Sequence, residues 1–148
     1  MASRIQKNTA VRYGNDMNTF QIETIRDITQ WINENLSLPF SATFIAQRSG
    51  YSQFYFQRMF SCYHSMSLSK YILHARMNYA LKLLHQTDLT ICHISLECGF
   101  STQQTFTRVF SKYFQMPPSK WREKHRKSSA NRFPDQGQIS FIHIEDNK

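Results

Sequence analysis

Arg58 and Arg108 are the side chains best suited to reading another molecule, and they occupy matching settings, "YSQFYFQRMF" and "FSTQQTFTRVF". A guanidinium presents paired N–H donors that match O6 and N7 of guanine, and a good bidentate pair discriminates by about 1 to 3 kcal/mol. Gln103 and Gln104 bring carboxamides able to pair with adenine, and Gln57 suits a base or phosphate contact. Hydroxyls at Ser61, Thr107 and Ser111, with the cations Lys70, Lys112, Lys120 and Arg122, suit phosphate oxygens, which position a protein without reading sequence. Ser52 and Ser101 read first as helix caps, with a phosphate bond at the helix N-terminus as a secondary role.

These residues need helices to present them. In "ISLECGFSTQQTFTRVFSKYFQMPPSKW", Gly99 supplies the left-handed turn between two helices, and Ser101 with Gln104 three positions on forms a capping-box pattern. Phe106, Val109, Phe110 and Tyr113 then mark one apolar face at helical spacing, leaving Gln103, Gln104, Thr107, Arg108, Ser111 and Lys112 to point outward. The stretch reads as a helix-turn-helix over 90–114.

A second copy lies upstream. Ile45, Gly50, Tyr51 and Ser52 match Ile94, Gly99, Phe100 and Ser101 at an offset of 49. After one inserted residue the offset becomes 50, pairing Phe56, Arg58, Phe60, Ser61, Tyr63 and Lys70 with Phe106, Arg108, Phe110, Ser111, Tyr113 and Lys120. Agreement through a turn and the helix after it is more specific than one helix-turn-helix motif. The first motif spans 41–63.

The remaining elements frame the pair. Ile22, Ile25, Ile28, Trp31, Ile32 and Leu36 predict a helix over about 19–36, whose acidic Glu23, Asp27 and Glu34 suit a supporting role. Residues 67–86, without glycine or proline, predict a long connecting helix of about 30 Å, near the 34 to 36 Å between successive major grooves on one face of B-DNA. Pro118 suits the first turn of a closing helix ending near His125. Residues 1–18 read as a flexible basic arm, within which Met17 is a possible alternative start, and 126–148 as a mobile or loosely docked tail. Of the eight aromatics Phe56, Phe60, Tyr63, Phe106, Phe110, Tyr113, Trp31 and Trp121, nearly all are expected in the core.

Composition narrows the function. The 148 residues carry 18 Lys/Arg against 10 Asp/Glu, and residues 65–124 hold eight Lys/Arg against three Asp/Glu. A basic surface fits a nucleic acid or another anionic partner. No apolar run approaches the ~18 residues of a membrane span, and the first residues lack a secretory h-region, so a cytoplasmic protein is expected. Cys62, Cys92, Cys98 and the scattered histidines make no zinc spacing, and Walker, GxSxG and HExxH patterns are absent; neither metal, cofactor nor catalytic residue is expected.

"SGYSQFYFQRMF" and "CGFSTQQTFTRVFSKYFQMPPSKWR" resemble the AraC/XylS family of bacterial transcription regulators, in its short subgroup typified by MarA, SoxS and the DNA-binding part of Rob. The resemblance spans roughly residues 20–124. It implies an all-α, seven-helix domain over 19–125 with two helix-turn-helix subdomains joined by a long helix and no small-molecule effector domain. It further implies a nucleoid-associated activator of antibiotic-resistance and stress-response genes, bound as a monomer to an asymmetric promoter site and recruiting RNA polymerase. By position it assigns base contacts to Phe54, Gln57 and Arg58 and to Gln103, Gln104, Thr107 and Arg108. Where the subgroup commonly has Trp this chain has Phe54, which keeps an apolar contact to a base or sugar but lacks the indole donor. An alternative reading, an interaction protein acting mainly through RNA polymerase, predicts that Arg58→Ala and Arg108→Ala leave activity nearly intact.

Overall fold

Most of the helix boundaries are set by side chains that satisfy orphan N–H groups of a first turn, and at four helix ends by a residue in the left-handed region. The computed structural model describes residues 17–126. Seven α-helices occupy them: α1 Thr19–Glu34, α2 Ala42–Ser49, α3 Gln53–His64, α4 Leu68–Gln86, α5 Ile91–Glu97, α6 Gln103–Phe114 and α7 Pro118–Arg126. The all-α expectation holds. Most of the basic arm and nearly all of the tail lie outside the described residues.

Asn18 and Gln21 close a reciprocal capping box at α1, each side chain bonding the other's backbone N–H at 2.9 Å. Asn35 caps the helix at its far end, so α1 stops two residues short of Leu36, which is buried nonetheless. Ser41, Ser52, Thr90 and Thr102 cap α2, α3, α5 and α6 through their hydroxyls. Gly50 and Gly99 sit at φ 76° and 79°, where a Cβ is strained. At Gly50 nothing lies within 4 Å of an added Cβ, so the backbone angle alone calls for glycine.

The cap of α6 corrects the expectation for Ser101. Thr102, not Ser101, accepts from the N–H of Thr105, and Ser101 lies exposed outside the helix, so Gln104 completes no capping box with it. The two caps Ser52 and Thr102 are then 50 apart while Gly50 and Gly99 are 49 apart. The inserted residue therefore falls before the cap, and from there the two helices match position for position.

The described residues form two compact units that divide after Asn78, within α4. In the first, α1 to α3 and the start of α4 bury Ile25, Ile28, Ile32, Ile45, Phe56, Met59, Phe60 and Leu68. In the second, Ala80, Leu84, Ile94, Cys98, Phe106, Phe110 and Pro118 are buried. Local contacts repeat: Phe56–Phe60 and Phe106–Phe110 ring centroids are 5.9 and 5.7 Å apart, and Phe60–His64 and Phe110–Phe114 are 4.3 and 4.6 Å apart. Arg76 donates to the Leu38 carbonyl at 2.9 Å, and Arg126, fifty residues on, donates to the Thr87 carbonyl and pairs with Asp88 at 2.7 Å. Each arginine ties a closing helix to the loop that precedes its helix-turn-helix.

Four of those eight aromatics are fully buried: Phe56, Phe60, Phe106 and Phe110. Tyr63 is 38% exposed because its hydroxyl accepts a hydrogen bond from Arg26 at the surface. Trp31, Tyr113 and Trp121 are half-buried. Trp31 packs on Phe40 and Phe44 beneath the Arg48 guanidinium, and Trp121 stacks on His125 with ring centroids 4.0 Å apart.

Candidate nucleic-acid interface

Burial of one face of α3 decides what the other face shows. With Phe56, Met59 and Phe60 turned inward, Gln53, Phe54 and Arg58 are exposed and Gln57 and Ser61 are half-buried. Phe54, an apolar ring, is 71% exposed, the largest value among the exposed hydrophobic side chains of the described residues. The Arg58 guanidinium lies 5.6 Å from the centre of that ring, a cation–π geometry that steadies both one turn apart. Gln53 accepts a hydrogen bond from Thr43 of α2 at 2.8 Å, which joins the two helices of the motif at the surface.

The second helix repeats the plan with different side chains. Phe106 and Phe110 turn inward, Gln103, Gln104, Arg108 and Lys112 are exposed, and Thr107 and Ser111 are half-buried. At an offset of 50, Arg58 meets Arg108 and Ser61 meets Ser111, but Phe54 meets Gln104 and Gln57 meets Thr107. Thus the arginine is common to both faces while its neighbours offer an aromatic ring on one and an amide and a hydroxyl on the other.

The expected phosphate-contacting residues divide. Lys70 and Lys120 are exposed in the first turns of α4 and α7, Lys112 is exposed in the last turn of α6, and Ser52 is an exposed cap. Arg122 is placed otherwise: its Nε donates to the Leu84 carbonyl at 3.2 Å, and its Nη2 is buried without a hydrogen-bond partner. Burial, then the nearby Arg126, push its pKa down, with Asp88 opposing. That geometry caps one of the last carbonyls of α4 rather than presenting a cation to solvent.

Sequence reading missed a set of side chains between α1 and α3. Gln21 donates to the Tyr55 hydroxyl at 2.8 Å, Arg26 donates to the Tyr63 hydroxyl at 3.1 Å, and a hydrogen bond of 2.9 Å joins Thr29 to His64. Arg26, Thr29, Tyr63 and His64 also line a shallow groove of about 430 Å³. Partners 34 to 37 residues apart leave no short-range signal. Burial lowers the pKa of His64, and the Tyr63 hydroxyl raises that of Arg26. Among the described residues no group of three or more His, Cys, Asp or Glu could hold a metal ion, and no helix is long and apolar enough to cross a membrane.

Two helix-turn-helix modules in one chain, each with a polar, arginine-bearing second helix turned outward, define a DNA-binding protein of the double helix-turn-helix class. Residues 45–124 match the model of a helix-turn-helix domain family. The chain is 36% identical over 120 residues to the multiple antibiotic resistance protein MarA of Escherichia coli K12, covering 81% of this chain and 87% of MarA. It is 37% identical over 100 residues to the regulatory protein SoxS of the same strain, covering 68% and 94%. An AraC-type transcriptional regulator from Chromobacterium violaceum superposes with a TM-score of 0.63 at 31% identity, over 72% of this chain and 96% of that one. The DNA-binding domain of AdpA, solved in complex with a target DNA, superposes with a TM-score of 0.69 at 20% identity, over 73% and 97%, and shares the fold. The chain belongs to the AraC/XylS family and is a DNA-binding transcription regulator of the MarA and SoxS type, not an enzyme.

Proposed function

We propose that this protein is a sequence-specific transcription activator that reads a bipartite promoter site as a monomer and recruits RNA polymerase to antibiotic-resistance and stress-response genes. The observation that carries the reading is the pair of recognition helices of one design, 12 residues each, in a single chain. Phe54, Gln57 and Arg58 contact bases of one box, and Gln103, Gln104, Thr107 and Arg108 contact bases of the other. Ser52, Ser61, Lys70, Ser101, Ser111, Lys112 and Lys120 meet phosphates around them. The connecting α4 has 19 residues, about 28 Å, on the scale of the ~34 Å between successive major grooves on one face of DNA. One chain then supplies what a helix-turn-helix dimer supplies with two. Similarity to the multiple antibiotic resistance protein MarA supports the antibiotic-resistance class, the family resemblance supports the stress-response class, and the site of action is the nucleoid within the cytoplasm.

The test is selection from a randomised duplex pool at near-physiological salt, with Arg58→Ala and Arg108→Ala run beside the parent. Two boxes about one helical turn apart are expected, each substitution weakening discrimination at one box by about 1 to 3 kcal/mol and leaving the other sharp. Enrichment of no sequence, with only weak salt-sensitive binding, refutes the reading and favours action through a protein partner.

A further inference from the structure

We infer that Gln21, Arg26 and Thr29 of α1 are positioning residues that set how the first recognition helix meets its bases, through hydrogen bonds to Tyr55, Tyr63 and His64 of α3. This rests on the proposed reading of a first box by α3. The geometry is that of a rail. Gln21 and Thr29 are eight residues apart on α1, and their partners Tyr55 and His64 are nine apart on α3, so the tied ends are separated by about 12 Å along one helix and about 14 Å along the other. The base-facing Gln57 and Arg58 lie between the tied ends.

The first tie is fixed by its own surroundings. The Gln21 carboxamide oxygen accepts from the N–H of Asn18 in the capping box of α1, so its NH₂ group is turned to the Tyr55 hydroxyl. One side chain thus starts α1 and holds the exposed beginning of α3. Tyr55 also packs on Tyr51, with centroids 5.3 Å apart, and neighbours the exposed Phe54. At the other end His64 lies within an aromatic group, 4.3 Å from Phe60 and 4.9 Å from Tyr71, with Thr29 as its hydrogen-bond partner.

The second recognition helix differs at two of the three tied positions, Tyr113 matching Tyr63 in kind. Position for position, Tyr55 corresponds to Thr105, which accepts from its own cap residue Thr102 at 2.9 Å, and His64 corresponds to Phe114, packed on Phe110 and Tyr113. Loss of the rail therefore has a signature that general destabilisation lacks: it acts on one box only.

Duplexes carrying both boxes, each with single-base substitutions, measure discrimination box by box for Gln21→Leu, Tyr55→Phe, Tyr63→Phe and Thr29→Val. Circular dichroism melting runs alongside, and near-isosteric Tyr55→Phe, Tyr63→Phe and Thr29→Val guard against a mere failure to fold. Combined Gln21→Leu and Thr29→Val is expected to reduce discrimination at the first box about three- to tenfold, with the second box and the salt slope unchanged. Thr29→Ser restores its share, and in a Tyr55→Phe background Gln21→Leu lowers the melting temperature through the lost capping box but removes no further first-box discrimination, because the tie is the one bond the two residues share. Intact discrimination at the first box in folded variants, or equal losses at both boxes, overturns the inference alone. A parent protein that shows no two boxes removes the reading beneath it as well.

Discussion

Replacing Phe54 by alanine separates a binding role from a folding role more cleanly than any other single change. With 71% of its surface open, the ring contributes little to the core, and Phe54→Ala should shift the stability of the free protein by no more than about 0.5 kcal/mol. A phenylalanine offers roughly 200 Å², so some 140 Å² is available to a partner at that exposure, and a base or sugar stacked on one side covers about half. At about 25 cal/mol per Å² this amounts to ~1.8 kcal/mol, a loss of about twentyfold in affinity. The assay is fluorescence anisotropy with a two-box duplex and with a duplex whose first box is scrambled. The loss should be found on the intact duplex and vanish on the scrambled one, where the ring has no base to meet in register. Equal loss on both duplexes would make Phe54 a nonspecific contact, and no loss on either would refute the area argument altogether.

The cap assignments predict that Thr102→Ala and Ser52→Ala each cost about 1 kcal/mol of stability, while Ser101→Ala stays within about 0.5 kcal/mol; urea denaturation of the three variants decides. Acid should weaken the first unit, because burial holds His64 and His74 below their ordinary pKa of 6.5, with Lys70 adding to the effect at His74. The unfolded chain takes up these protons first, so stability is level above about pH 6.5 and falls as pH drops below it. Urea midpoints at pH 8, 6.5 and 5 measure this, and His64→Phe, which installs the residue type found at the matching Phe114, should flatten part of the fall.

Most of the fold could be read from the chain because its boundaries are chosen locally. Gly50 and Gly99 end α2 and α5 in the left-handed region, hydroxyl residues start the helices after them, and phenylalanines at helical spacing mark the buried faces. The misreadings arose where two neighbours offered the same chemistry or where a distant residue decided. Ser101 and Thr102 both carry a cap hydroxyl, and which one is used depends on how many residues the backbone needs to leave the turn at Gly99. Tyr63 has the spacing of a core residue, but Arg26, 37 positions away, keeps its hydroxyl at the surface. Arg122 has the charge of a phosphate contact, yet the Leu84 carbonyl, 38 positions back, takes its donor.

The outward faces were legible for a simpler reason: they are what remains when the buried face is known. What could not be read there is how the face of α3 is held, since the ties between α1 and α3 join residues with no periodic relation. Comparison of the two modules with each other carries the point further. Phe56 and Phe106, and Phe60 and Phe110, are identical in type and fully buried, whereas Phe54 against Gln104 and Gln57 against Thr107 differ in chemistry on the open side. A core restricts the side chains that fill it to a given volume, and solvent-facing positions escape that restriction. The two modules therefore keep one architecture while offering different contacts around a shared arginine. On the proposed reading of two boxes, a chain built this way suits an asymmetric site better than a palindrome, because different side chains would meet the bases of each box.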